Sequence, residues 1–496
     1  MKKLTSYKSK IRKEYKKMSH SLEKKEKKEK TPSFTATLRL KPTTKQIKTL
    51  LIKGEMARML YNACLGEALN RLKQIKETDK YQETIKIDKT TKEGKEQRRE
   101  NFKELNKQFG FNDYSIQAFG TKTKNQSKFI AHHLGTHVCQ KIATRAFKAV
   151  QKVALGKARK VKFKRKGEFV SLEGKNNKTF LTYNNGYACI DDMTIPCRIA
   201  PGEKDPWMNH ALNCRVKYCR LICNEIKGKP VFYLQLILEG IPYEKYQMGT
   251  EETGFDIGPS TIAVVSDSKA SLEKFCEQLP NLHKEKRRKQ RKLDRQRRAN
   301  NPNNYHPNGT VKKGKKKWVI SNTMKRTQQE YRELERKIAA TRKTIHGTKA
   351  NDIFRRSRTV KTEKLSYKAF QKLYGKSVGR CAPATFIKKV KEKIERNGGT
   401  FLEIPTVSTK LSQTCHKCKT VKKKKLSQRW HDCTCGVKAQ RDLYSAFLAK
   451  CVTKSKKLSF KEANKQWVKV EELLNECMSN LKTKKKENNF PKSFGI

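Results

Sequence analysis

Acidic residues are scarce in this sequence: 47 Asp and Glu stand against 116 Lys and Arg, a formal net charge of +69 over 496 residues. An excess of that size selects for a polyanionic partner, nucleic acid first, and predicts tight, salt-dependent binding. Long apolar runs are missing as well. No stretch approaches 18 consecutive apolar residues and no basic amphipathic helix dominates, which argues against a membrane-spanning or membrane-surface protein. The first thirty residues are charged throughout and lack the apolar core of a secretory signal, so they read as a basic arm. Cysteine is plentiful, with 15 residues, but its spacing is irregular apart from two close pairs near the C-terminus. A reduced, intracellular setting with one metal site is expected rather than a disulfide framework. Cys64, Cys139, Cys214, Cys219 and Cys223 sit among apolar residues and read as packing groups.

The length implies two to four domains. Phe34, Ala36, Leu38 and Leu40 alternate with polar positions as in a half-buried strand, and the apolar residues from Ile47 to Leu69 then recur at helical spacing. A second helical pattern covers residues 126 to 155. The segment that follows, GKARKVKFKRKGEF, interleaves Val161, Phe163 and Phe169 with bases and reads as a basic strand suited to a phosphate backbone, making Lys160, Lys162, Lys164 and Arg165 candidate nucleic-acid contacts. Strands dominate from Thr179 to Leu238, with turns at Asn-Asn-Gly and Lys-Gly-Lys-Pro. The early strand near residue 36 is expected to join their sheet. Residues 277 to 350 are strongly basic; Leu293 is nearly alone among charges, so part of this stretch cannot be a core helix, and Arg287, Arg288, Arg291 and Arg295 are further candidate contacts.

Against this background the few acids on apolar elements stand out. Asp256 lies on an apolar strand ahead of a Gly258–Pro259 turn, and Asp442 lies in the first turn of an apolar helix. Each alone has an ordinary explanation, a turn or a favourable helix dipole. Together they invite a metal-dependent phosphodiester site, because Mg²⁺ takes oxygen ligands and two ions stabilise the attacking and leaving oxygens. A third acid is then needed between them. Glu363 and Glu403 both close apolar strands, and spacing does not choose between the two. Just before Asp442, Cys415-x-x-Cys418 and Cys433-x-Cys435 supply four thiolates suited to a closed, structural, tetrahedral Zn²⁺ site, with His431 as a substitute ligand for the unusual CxC pair.

A strand with Asp-x-Gly, a glutamate at a strand end and a four-cysteine insertion ahead of Arg441-Asp442 and a small-residue helix resemble the RuvC-like nuclease of TnpB and of compact type V CRISPR effectors, over residues 251 to 452. The N-terminal half fits more loosely. The resemblance favours Glu363 as the middle acid, through Thr362-Glu363-Lys364-Leu365, and implies Asp256, Glu363 and Asp442 as the ligands of two Mg²⁺ ions. The family's Asp-Arg-Asp-x-Asn becomes Gln440-Arg441-Asp442-Leu443-Tyr444 and the acid after the middle Glu becomes Lys364, but all three core acids remain. The implied fold is multidomain α+β: a basic arm (1–32), a wedge β module with a helical recognition region at about 45–160 (33–250), an RNase H-like (RuvC) α/β nuclease (251–408), a zinc ribbon insertion (409–440), and a C-terminal helix with a basic tail (441–496). The implied activity is RNA-guided DNA cleavage in the interior of a prokaryotic cell, with a guide or scaffold RNA and a target DNA as partners. A guided binder that does not cut, and a transposase or recombinase accessory, are the alternatives; the sequence shows no tyrosine or serine nucleophile motif for the latter.

Overall fold

A computed structural model describes residues 31–200, 204–425, 427–484 and 490–496. The basic arm therefore falls almost wholly outside the described residues. The chain divides into two units, Met1–Tyr243 and Glu244–Ile496. The architecture is mixed α/β and multidomain.

In the first unit the alternating strand near residue 36 is β1 (Ser33–Leu40), with Phe34, Ala36, Leu38 and Leu40 turned into the core. Pro42 ends it, and Thr43 opens helix α1 (Thr44–Glu77) through a capping box: the Gln46 N–H donates to the Thr43 hydroxyl at 3.3 Å, and the Thr43 N–H donates to Gln46 Oε1 at 2.9 Å. The charged stretch that follows forms α2 (Asp79–Lys86) and α3 (Lys92–Gln108). Then come α4 (Asp113–Gln126), α5 (Lys128–His133) and α6 (Thr136–Ala154), whose Val138, Ile142, Ala146 and Val150 pack on α1 and α4. The strands β2 (Leu172–Glu173), β3 (Leu181–Asn184), β4 (Tyr187–Ile190), β5 (Met193–Arg198), β6 (Val216–Ile226) and β7 (Lys229–Glu239), with α7 (Pro206–Asn213) ahead of β6, complete the unit. They form one seven-stranded sheet in the order β2-β6-β7-β1-β5-β4-β3, so β1 does join the later strands. Both hairpin turns fall where the sequence marks them, at Asn185–Gly186 and Lys227–Gly228.

One expectation fails here. Residues 160–165 are not a strand but an irregular segment, exposed except for the half-buried Val161. No strand pairs with them; the Asn62 side chain on α1 does so instead, accepting from Lys164 N at 2.8 Å and donating to Lys164 O at 2.9 Å. Of the interleaved residues, Val161 and Phe169 pack partly against the core while Phe163 stays 53% exposed.

The second unit is built on a five-stranded sheet. A meander of β8 (Glu251–Ile257), β9 (Thr261–Val265) and β10 (Ala270–Lys274) leads into α8 (Leu279–Ala299) and α9 (Asn322–Arg356). The chain returns as β11 (Ser357–Glu363), then α10 (Tyr367–Cys381), α11 (Pro383–Arg396) and β12 (Thr400–Ile404). The order is β10-β9-β8-β11-β12, with β11 parallel to both β8 and β12. After a short helical turn, α12 (Thr406–Thr409), the cysteine-bearing segment carries a small hairpin of β13 (Trp430–Asp432) and β14 (Lys438–Gln440). It runs directly into α13 (Arg441–Lys450) and then α14 (Phe460–Thr483).

Alternation along β8 gives its two faces different partners. Phe255 turns toward Phe386 of α11, while Gly254 and Asp256 turn toward α13. Gly254 lets the helix lie on the strand: a Cβ there would stand 2.0 Å from Ala446 O and 2.5 Å from Lys450 N. The far end of the helix is held by Lys361 of β11, whose ammonium donates to Lys450 O at 2.7 Å and pairs with Glu252 at 2.8 Å.

Because both atoms in the way at Gly254 are backbone, Gly254→Ala should force α13 off the sheet and cost about 3 kcal/mol or more. Thermal unfolding should show the loss, and a melting temperature equal to the parent's would mean that the close approach is not a constraint.

Candidate active site

The sheet brings two of the three acids together. Asp256 is the penultimate residue of β8 and Glu363 the last of β11. Thr362 pairs with Phe255, so one step further along these parallel neighbours Glu363 and Asp256 share a face. That face is the one α13 covers, and Asp442 in the helix's first turn meets them there. All three line one cavity of about 520 Å³, together with Phe370 and Tyr374 of α10 and the cations Lys423, Lys424, Arg429 and Arg441.

Burial raises the proton affinity of the three acids. Burial, then the charges of Asp442 and Glu363, lift Asp256 well above the usual carboxylate range, against the pull of Arg441. Burial pushes Glu363 up to about 7. Asp442 is raised by burial too, opposed by Arg441, whose Nε lies 3.5 Å from Asp442 Oδ1, and by Arg429. Three partly buried carboxylates on one cavity, all raised by burial and Asp256 also by the other two, form a donor set for hard, oxygen-seeking cations.

Glu403 is separated by parity. It pairs with Thr362, so it projects from the opposite face to Glu363, and its carboxylate takes Lys391 of α11 at 3.1 Å.

The four cysteines gather as their spacing implies. The Sγ atoms of Cys415, Cys418, Cys433 and Cys435 all lie within 4.8 Å of one another, with Cys415 and Cys435 at 3.5 Å and Cys418 and Cys433 at 3.4 Å. Four thiolates at about 2.3 Å around one tetrahedral ion would stand about 3.8 Å apart, so the cluster suits Zn²⁺. Hydrogen bonding from Thr420 holds the Cys418 thiol down at about 6, which favours the thiolate. His431 is not in this group. It stacks on the Tyr444 ring at 4.2 Å, and its Nδ1 lies 2.5 Å from the Lys424 ammonium. Among the described residues the thiols are the one group gathered this tightly; the three acids surround their cavity more openly.

The candidate nucleic-acid residues occupy separate places. Lys160, Lys162, Lys164 and Arg165 are exposed on the irregular segment held by Asn62. Arg287, Arg288, Arg291 and Arg295 are exposed along one stripe of α8, while Lys286 and Lys289 on its other side pair with Glu335 and Glu330 of α9 at 2.8 and 2.6 Å. Sequence reasoning missed Lys424, Arg429, Arg441 and Tyr374 around the acids. Arg441 was signalled by its place beside Asp442; Lys424 was hidden in a run of lysines that reads as solvated charge.

The fold and site define a mixed α/β, multidomain protein with an acidic cavity next to a four-cysteine cluster. Residues 384–448 match the family model described as Cas12f1-like, TNB domain, which spans the cysteines and most of α13. This match agrees with the resemblance to TnpB-like and compact type V effectors over the cysteine-bearing segment. No curated protein matches the chain. It is similar to one chain of a cryo-EM structure of a Cas12f1–sgRNA–target DNA complex (14% identity, 84% of this chain and 98% of that one, TM-score 0.45). It is also similar to one of a CRISPR–Cas12f ternary complex (12% identity, 86% and 100%, TM-score 0.30). At these scores neither likeness carries an argument.

A pH dependence follows from Glu363. Its carboxyl keeps a proton up to about pH 7 when folded but loses it near 4.5 when unfolded. The parent should therefore lose stability as pH rises from 4.5 through 7, by on the order of 3 kcal/mol at 1.36 kcal/mol per unit. In buffer free of divalent cations, Glu363→Gln should match the parent near pH 4.5 and melt higher at pH 8. Parallel stability–pH curves for the two proteins would refute this account of the site.

Proposed function

We propose that the chain is an RNA-guided DNA endonuclease with one metal-dependent site. The observation that carries this reading is the convergence of Asp256, Glu363 and Asp442, from two strands and a helix, on one cavity rimmed by cations. The sheet order, with three antiparallel strands followed by two parallel ones and a helix over the first strand, supports reading the second unit as an RNase H-like (RuvC) nuclease. In this reading residues 251–408 and 441–496 form the nuclease, 409–440 a zinc ribbon, 33–250 the wedge and recognition module, and 1–32 a basic arm.

Asp256, Glu363 and Asp442 would hold two Mg²⁺ ions. Bound there, Mg²⁺ supplies charge to polarise the phosphate and a water of lowered pKa to attack it. The chain's own groups do the rest. Arg429, Arg441 and Lys424 draw a phosphodiester toward the carboxylates, and Arg441 offsets their repulsion before the ions arrive. Phe370 and Tyr374 give the cavity an aromatic wall. The exposed bases at 160–165 and along α8 fit the phosphates of a guide RNA and of target DNA. The cysteine cluster, with zinc, would hold the segment that delivers Asp442 to the site.

Lys364, where the resembled family carries an acid, favours one second reading: guided binding without cutting. Purified protein, expressed with its flanking locus, should carry a discrete RNA and cut DNA complementary to it in Mg²⁺. Asp256→Ala and Asp442→Ala should each lower cleavage by about a thousandfold, equivalent to about 4 kcal/mol, while RNA and DNA binding persist. Guided DNA binding with no cleavage by the parent would establish the second reading, and recovery of only bulk cellular RNA would overturn the guided reading altogether.

Zinc has its own test. Elemental analysis should find one zinc per chain, lost in Cys415→Ser with a lower melting temperature; a parent purified without zinc at full stability would remove the ribbon from the proposal.

A further inference from the structure

A cavity of about 760 Å³ lies in the first unit among α3, the α3–α4 turn and α6, far along the chain from the acids. Its floor is aromatic. Phe111 and Phe147 are 5% and 6% exposed and meet edge to face at 5.1 Å, and Phe102 lies beside them. One edge is basic: Arg99, Lys103 and Lys107 follow at four-residue intervals on α3, about 6 Å apart along the helix, and all are exposed. At the mouth Tyr114 holds a large aromatic side chain 84% exposed, which no packing in the unit explains.

The cavity is held open by its own backbone. Gly110 takes φ +60° after α3, the Phe111 N–H donates to Asn106 O at 2.8 Å, and the Asn112 side chain caps α4 by accepting from Ser115 N at 2.8 Å. The one lining carboxylate, Asp113, is engaged by the Thr144 hydroxyl at 2.8 Å.

We propose that this cavity takes an unpaired nucleobase of a single-stranded nucleic acid. A flat aromatic ring enters between the phenylalanines and Tyr114, and the flanking phosphates lie along Arg99, Lys103 and Lys107. An apolar floor with a cationic edge is complementary to a nucleotide, which joins an aromatic face to an anionic backbone; an acidic or purely aliphatic partner would match one half only. The inference rests on the nucleic-acid reading above. It adds to that reading a specific place where a strand must be unstacked, whether the strand is RNA or DNA.

The test uses the full-length protein with single-stranded oligonucleotides carrying 4-thiouridine (RNA) or 4-thiothymidine (DNA), photocrosslinked and mapped by peptide mass spectrometry. Adducts are expected in the tryptic peptide 108–122, which holds Phe111 and Tyr114. RNA-only or DNA-only adducts would identify the strand, and either supports the site. Tyr114→Ala, at a position exposed enough to leave folding intact, should cut adduct yield in this peptide about tenfold. Overall affinity, carried by the many other cations, should change far less. Tight binding with crosslinks only elsewhere, or an undiminished yield in Tyr114→Ala, would overturn the pocket and leave nucleic-acid binding standing. Failure of both oligonucleotides to bind would overturn the nucleic-acid reading as well.

Discussion

The second unit depends on one close approach, the backbone of α13 lying directly on β8 at Gly254. No side chain separates helix from strand there, so the position of the helix is set by backbone contact on one side and by Lys361 at its C-terminal carbonyl on the other. A ten-residue helix fixed at its middle and its last residue has little freedom left at its first turn. That constraint places Asp442, together with the Gln440 cap of the first turn and the Arg441 guanidinium beside its carboxylate.

The same helix links the acids to the cysteines. Leu443, Ala446, Phe447 and Leu448 share a core with Cys415, Val437 and Ala439 of the segment before it. The Tyr444 hydroxyl accepts the His416 N–H at 2.9 Å, one residue past the first cysteine. Anything that loosens the cysteine cluster therefore loosens the packing of α13. The cost of gathering three carboxylates in a partly buried cavity, visible in the upward shifts of all three, is borne by this rigid frame.

Basic charge is organised differently in the two units. In the first it lies on an irregular segment held by Asn62 and Arg58 and along one edge of an aromatic cavity. In the second it runs along a helix whose opposite side is tied down by lysine–glutamate pairs. In each case most of these cations stay exposed because other groups do the structural task.

The amino-acid sequence by itself determined the local elements. The alternation in β1, the caps and turns, the Asp256 strand with its Gly-Pro turn, the first-turn position of Asp442 and the CxxC and CxC pairs are all properties of a few neighbouring residues. It could not determine what depends on pairing between distant segments. The choice between Glu363 and Glu403 came down to the register of β11 against β8 and β12, because one residue of offset turns a side chain to the other face of the sheet. The basic segment at 160–165 has strand-like alternation but found no strand to pair with. Lys424 and Arg429 reached the acidic cavity from a stretch that reads as solvated charge. Periodicity records which face a residue occupies within its own element; which elements meet on that face is decided only when the sheet and its helices assemble.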